Sequence, residues 1–207
     1  SFSPEVSIVS ASSHAAALRR PGRFLALVAA ATALSLGLTT AARAQAVLDV
    51  KSANEVLNRY VVDLDTLHSK VMQLANAIPA EKYSWRPAAG VRSISEALMH
   101  IATEWYFYTP QSVGMKAPAD FGKPEETIAK MEKVATKAEV LDHLKKSWTH
   151  CHEQLKAADA SKLTGKYKPW DATLPEAAFG MSGDLHEHLG QMIAYARSVG
   201  VKPPWTK

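Results

Sequence analysis

Four stretches of the chain repeat apolar residues at the three-and-four spacing that places them on one face of a helix. The first runs from about Ala53 to Ile78 and stops against Pro79; Leu57, Tyr60, Val61, Leu64, Leu67, Val71, Leu74 and Ile78 form its stripe. The second opens at Ser93-Ile94-Ser95-Glu96, a capping box, and Pro110 closes it. Its stripe is Ile94, Ala97, Leu98, Ile101, Trp105 and Tyr108. The third opens on a second capping box, Thr136-Lys137-Ala138-Glu139, and reaches about Ala158 with Val140, Leu141, Leu144, Trp148, Cys151 and Leu155 inward. The fourth begins at Thr173-Leu174-Pro175-Glu176, where a capping box coincides with proline in the first turn. Gly200 ends it, and Leu174, Ala178, Met181, Leu185, Leu189, Met192 and Ala196 make its stripe.

The segments between these helices read as connectors. Ile78 to Pro87 is broken by proline, with Tyr83 and Trp85 available to pin it to the core. Gln111 to Ala135 is the long connection, interrupted by Gly114, Pro118, Gly122 and Pro124 and carrying a short helical piece from about Glu125 to Lys133. Asp159 to Asp171 joins the third helix to the fourth. Four long helices and no credible strand predict an all-α four-helix bundle. The long connection need not join antiparallel neighbours, so an up-down-down-up order with a crossover between the second and third helices is expected.

The N-terminal segment stands outside that pattern. Arg19, Arg20 and Arg23 precede a charge-free apolar run from Phe24 to Leu38. Ala42-Arg43-Ala44 and Ala44-Gln45-Ala46 then offer two small-x-small cleavage patterns. The run is shorter than the roughly 20 residues that span a bilayer, so residues 1–46 are expected to be a leader with a cleaved export signal and 47–207 the bundle domain. Residues 1–18 read as an upstream, unstructured extension of the leader. The mature protein is expected to be periplasmic or secreted, with no stable membrane span.

Charge follows the same division. The net charge is +4, but the segment up to Ala44 holds four arginines against Glu5 alone, so the remainder is nearly neutral. No basic cluster interleaves with aromatics, which argues against a nucleic-acid partner. Cys151 is the single cysteine, so no internal disulfide is possible, and its place in an apolar stripe reads as a buried structural thiol.

The candidate chemistry lies on the second and fourth helices. Asp184 and His188 are four apart and share a face, and Gln191 and Tyr195 extend the line. At about 100° per residue, His100 falls at the edge of the second helix's stripe, with Glu104 one turn on and nearer the core. His100, Asp184 and His188 could together hold a divalent metal ion such as Zn, Ni or Fe, with open positions for water or a small-molecule substrate. Glu104, His152, Gln191 and Tyr195 are candidates for supporting positions around it. His68 lies within the first stripe and reads as a core histidine. The sequence contains no Glu-x-x-His, the motif of di-iron bundles. The alternative is a non-catalytic bundle that binds a small molecule or forms a homodimer, with Asp184 and His188 as an intrahelical ion pair.

Two further stretches carry a family resemblance. Ser84-Trp85-Arg86-Pro87-Ala88-Ala89-Gly90-Val91-Arg92-Ser93-Ile94, leading to His100, resembles the opening of the second helix in DinB-like bundles. His188-Leu189-Gly190-Gln191 with Tyr195-Ala196-Arg197 resembles the family's fourth helix, usually His-Arg-Gly-Gln. Members typically hold a divalent metal through one histidine on the second helix and a His-x-x-x-His pair on the fourth. The resemblance therefore implies metal binding at His100 and His188, with Asp184 where the other histidine is usual. A carboxylate there is similar to relatives of the mycothiol-dependent maleylpyruvate isomerases. The family also includes thiol S-transferases, and the resemblance implies a metal-dependent transferase or hydrolase. Their thiols are mainly cytosolic, in contrast to the export signal read here.

Overall fold

Each of the four stripes lies on a helix in the computed structural model, which describes residues 48–206. The leader and its two cleavage patterns lie outside the described residues. Helix α1 spans Val50–Ala77, starting a turn earlier than the periodicity suggests because Asp49 caps it, accepting from the Ser52 amide at 2.6 Å. At its other end the Lys137 Nζ donates to the carbonyls of Asn76 and Ile78, both at 2.7 Å. These are carbonyls that the end of a helix leaves without an internal partner.

The connector that follows is fastened as expected. Tyr83 is fully buried and its hydroxyl donates to the Ala75 carbonyl at 2.6 Å. Helix α2 spans Ile94–Tyr106 and opens with the capping box: Ser93 Oγ accepts from the Glu96 amide, and Glu96 Oε2 accepts from the Ser93 amide. Arg86 holds the other Glu96 oxygen at 2.8 Å. The helix breaks at Phe107, earlier than Pro110 alone suggests, and a separate turn, α3, covers Tyr108–Gln111. Pro110 has no N–H for the Tyr106 carbonyl, and its ring would crowd that carbonyl, so the regular ladder ends four residues before it.

The long connection contains α4, Pro124–Met131, followed by α5, Lys137–Ala157, and α6, Leu174–Ser198. The capping box at Thr173 with Glu176 forms, whereas at Thr136 only half of it does: Thr136 Oγ1 accepts from the Glu139 amide and donates to the Glu139 carboxylate, which leaves the Thr136 amide unclaimed by that side chain. Apart from a single bridge between Tyr167 and Ala172, the described residues contain no strand. None of the described helices is long and apolar enough to cross a membrane.

The predicted stripes form one core. Leu64, Leu67, Val71 and Leu74 of α1 are fully buried, as are Ile94, Leu98, Ile101 and Trp105 of α2. Leu144 and Cys151 of α5 and Leu185 and Met192 of α6 complete it. Each such aliphatic side chain contributes roughly 1.5–3 kcal/mol on burial, so the stripes are sufficient cause for the helices to associate. Helix α1 packs most extensively on α6, and α2 on α5. Asp63 of α1 meets Ser182 and His186 of α6, while Val56 and Arg59 share a groove with Pro175 and Phe179. Residue numbers therefore rise together along this pair. They run oppositely between α1 and α5, where Asp65 meets His152 and His68 stacks on Trp148.

Candidate metal centre

The contact between α2 and α6 brings together His100, Glu104 and His188. His100 and Glu104 are one turn apart on α2, and Glu104 is 3% exposed, enclosed between buried Thr103 and Trp105. The Nε2 atoms of His100 and His188 lie 3.2 and 3.1 Å from Glu104 Oε1. The two imidazole rings meet edge to face, 4.9 Å between centroids. Each residue offers one ligand atom, and these atoms all lie within 4.8 Å of one another.

The outer nitrogens of both rings are already engaged. His100 Nδ1–H donates to Glu132 Oε1 at 2.9 Å, and Arg92 pairs with the same carboxylate at 3.0 Å. His188 Nδ1–H donates to Gln191 Oε1 over a long 3.4 Å. Gln191 is oriented for this because its amide donates to the Tyr195 hydroxyl at 3.0 Å. The Glu132 carboxylate and the Gln191 amide oxygen can only accept, so each Nδ1 carries the proton of its bond. Each Nε2 faces Glu104 Oε1, which also can only accept, so an unprotonated Nε2 would meet it lone pair toward lone pair. Such an arrangement is favourable only with a proton or a cation between the atoms.

Electrostatics point the same way. Burial pushes the Glu104 carboxyl up, but hydrogen bonds from His100 and His188 outweigh it and leave its pKa below the usual value. The hydrogen bond to Glu104 raises the His188 imidazole against the effect of its burial. Glu104 Oε2 is buried without a hydrogen-bond partner. Leaving such an acceptor unsatisfied costs about 1–3 kcal/mol, more for a charged group. Two imidazoles and a carboxylate, with one carboxylate oxygen free, are a donor set that suits a borderline divalent cation.

The remaining residues singled out by sequence take different places. Asp184 Oδ2 is 3.9 Å from His188 Nε2, and its side chain is 50% exposed, so it stands at the rim of the cluster. Burial, and then the charge of Glu104, raise its pKa. Gln191 and Tyr195 support His188 from behind. His152 points elsewhere: it lies 3.4 Å from Asp65 and stacks near Trp148, at the junction of α1 and α5. Glu132 was not singled out from the sequence. It follows the last turn of α4 inside the long connection, where no periodicity marks it. The only available signal was chemical, namely that a metal-binding histidine generally donates its second N–H to a carboxylate.

Cys151 is fully buried, and burial pushes its thiol well above the usual range, which removes it as a nucleophile at neutral pH. A groove of about 760 Å³ lies between α1 and α6. It is lined by Val56, Tyr60, Val62, Ala178 and the exposed Phe179, and none of the cluster residues borders it. Its size therefore says little about the chemistry at His100 and His188.

The sequence model of the DinB superfamily matches residues 63–192. The match begins within α1, ends within α6 and includes every residue of the cluster together with Glu132, Asp184 and Gln191. No curated protein matches the chain.

Proposed function

The chain belongs to the DinB superfamily, and on that premise we propose that it holds a divalent metal ion between His100, Glu104 and His188. The single observation that carries this reading is the commitment of both outer imidazole nitrogens, to Glu132 and to Gln191, which turns both Nε2 atoms onto one buried carboxylate. An ion of the zinc, nickel or ferrous type would supply Lewis acidity there. The chain's own residues do the rest. Glu132 and Gln191 fix the two rings, Tyr195 fixes Gln191, and the surrounding apolar stripes limit the access of water.

The reading takes the protein to be exported and to act on a small substrate by metal-dependent transfer or hydrolysis. It also takes the four long helices to run up-down-down-up. Support for that order comes from the residue numbering, which rises together along α1 and α6 and oppositely along α1 and α5.

The test is the metal content of the purified full chain after growth in metal-replete medium. One equivalent of metal is expected in the wild type, with loss in His100→Ala, His188→Ala and Glu104→Gln. Absence of stoichiometric metal, with the three variants as stable as wild type, would overturn the reading. That result would leave a bundle that binds small molecules or self-associates without metal.

A further inference from the structure

Beside the cluster, α2, α3, α6 and the α5–α6 connection leave a pocket of about 250 Å³. Glu104, Tyr108, Trp170, Gly180, Met181 and Asp184 line it. Its volume is below the roughly 300–1,000 Å³ of sites for drug-sized ligands, so its occupant is compact. Gly180 keeps one wall open, since nothing lies within 4 Å of where a Cβ would stand.

The lining has one electrostatic sign. It includes two carboxylates and two electron-rich aromatic rings, and no lysine, arginine or histidine. Ring faces attract cations and carboxylates pair with them. An anionic group entering here meets Asp184 and Glu104 with no counter-charge from the lining. When a cation or a proton occupies the cluster, Glu104 is compensated by it, and Asp184 remains the carboxylate that faces the pocket. Asp184 has no Lys or Arg partner among the ion pairs of the described residues; its one contact of that kind is His188, at 3.9 Å.

We propose that this pocket binds a compact amine, its apolar or aromatic body between Tyr108, Trp170 and Met181 and its ammonium group on Asp184. The inference deepens the metal-site reading by naming a substrate class for the same site. It rests on that reading only for the cluster's role: with metal bound, the charge of Glu104 is cancelled and selection of an amine falls to Asp184 and the two rings. Thiols bearing several carboxylates are the wrong class for this lining.

The probes are phenethylamine, 2-phenylethanol and 3-phenylpropionate, which share a body and differ in end-group charge. Each is titrated calorimetrically into the full chain, zinc-loaded and chelator-treated, and zinc retention is measured on the same samples. The amine is expected to bind roughly tenfold tighter than the alcohol, and the acid not at all. Asp184 is half exposed, so Asp184→Asn should fold normally; it is expected to erase the preference for amine over alcohol while leaving binding of the alcohol. Trp170→Ala is expected to weaken both. Equal or tighter binding of the acid, an amine preference that survives Asp184→Asn, or no heat from any probe overturns the proposal. Zinc retention without amine preference sinks the pocket inference alone. Amine preference without zinc retention sinks the metal reading alone.

Discussion

Two carboxylates are candidates for the inner place at the proposed metal centre, and each is spaced one helical turn from a histidine. Glu104 stands four residues after His100, and Asp184 four residues before His188. The choice depends on how α2 and α6 are rotated against each other, which a one-dimensional pattern does not contain. The structure turns Glu104 inward among buried neighbours and leaves Asp184 half exposed at the rim. Zinc affinity, measured by competition with a chromophoric chelator, is expected to fall sharply in Glu104→Gln and only slightly in Asp184→Asn. Glu132→Gln, which weakens the hold on the back of His100 and the pairing with Arg92, is expected to cost roughly 10–100-fold. A greater loss in Asp184→Asn than in Glu104→Gln would make Asp184 the ligand. His100 and His188 were legible because the resemblance extends over both helices. Glu132 was not, because its contact with His100 spans a connection whose path no local rule predicts.

At the scale of elements, helix ends were the most legible features, because each is fixed by chemistry within four residues. Ser93 with Glu96 and Thr173 with Glu176 cap their helices as the sequence implies. The end of α2 was legible only in part, since Pro110 marks a break whose effect falls four residues earlier. The seam between α1 and α5 adds a testable consequence. His68 lies within the apolar stripe of α1, stacked on Trp148 at 4.4 Å and edge-on to Trp105 at 5.3 Å. Burial, and then the charge of His152, lower its pKa to about 4. In the unfolded chain its pKa is about 6.5. Between those values the unfolded chain takes up a proton that the folded one refuses. The contribution of neutral His68 is therefore whole above about pH 6.5 and is lost as pH falls toward 4. Urea midpoints at pH 7 and pH 4.5 should differ more in wild type than in His68→Phe, which keeps a ring in the stack. Equal losses in the two proteins would show that His68 does not carry this part of the acid sensitivity.

For the whole molecule, what matters is the contrast between the two parts of the chain. From Leu48 onward the helices close on one core, and every residue of the proposed metal centre lies within that unit. The preceding segment contributes most of the net charge and the apolar run from Phe24 to Leu38. If that segment is an export signal, the bundle should reach its final compartment without it, and the cut should fall where small residues flank one position. Ala42-Arg43-Ala44 places the new terminus at Gln45, and Ala44-Gln45-Ala46 places it at Val47. Both cuts fall just ahead of Asp49, which caps α1, so both leave every described residue of the helices in place. Expression of the full chain with a C-terminal tag in a secreting bacterial host, followed by mass spectrometry of the cell-envelope fraction, reads the terminus directly. A terminus at Gln45 or Val47 is expected. Recovery of the uncut chain from the cytosolic fraction alone would sink the export reading. It would leave the metal proposal untouched, because His100, Glu104 and His188 all lie among the described helices.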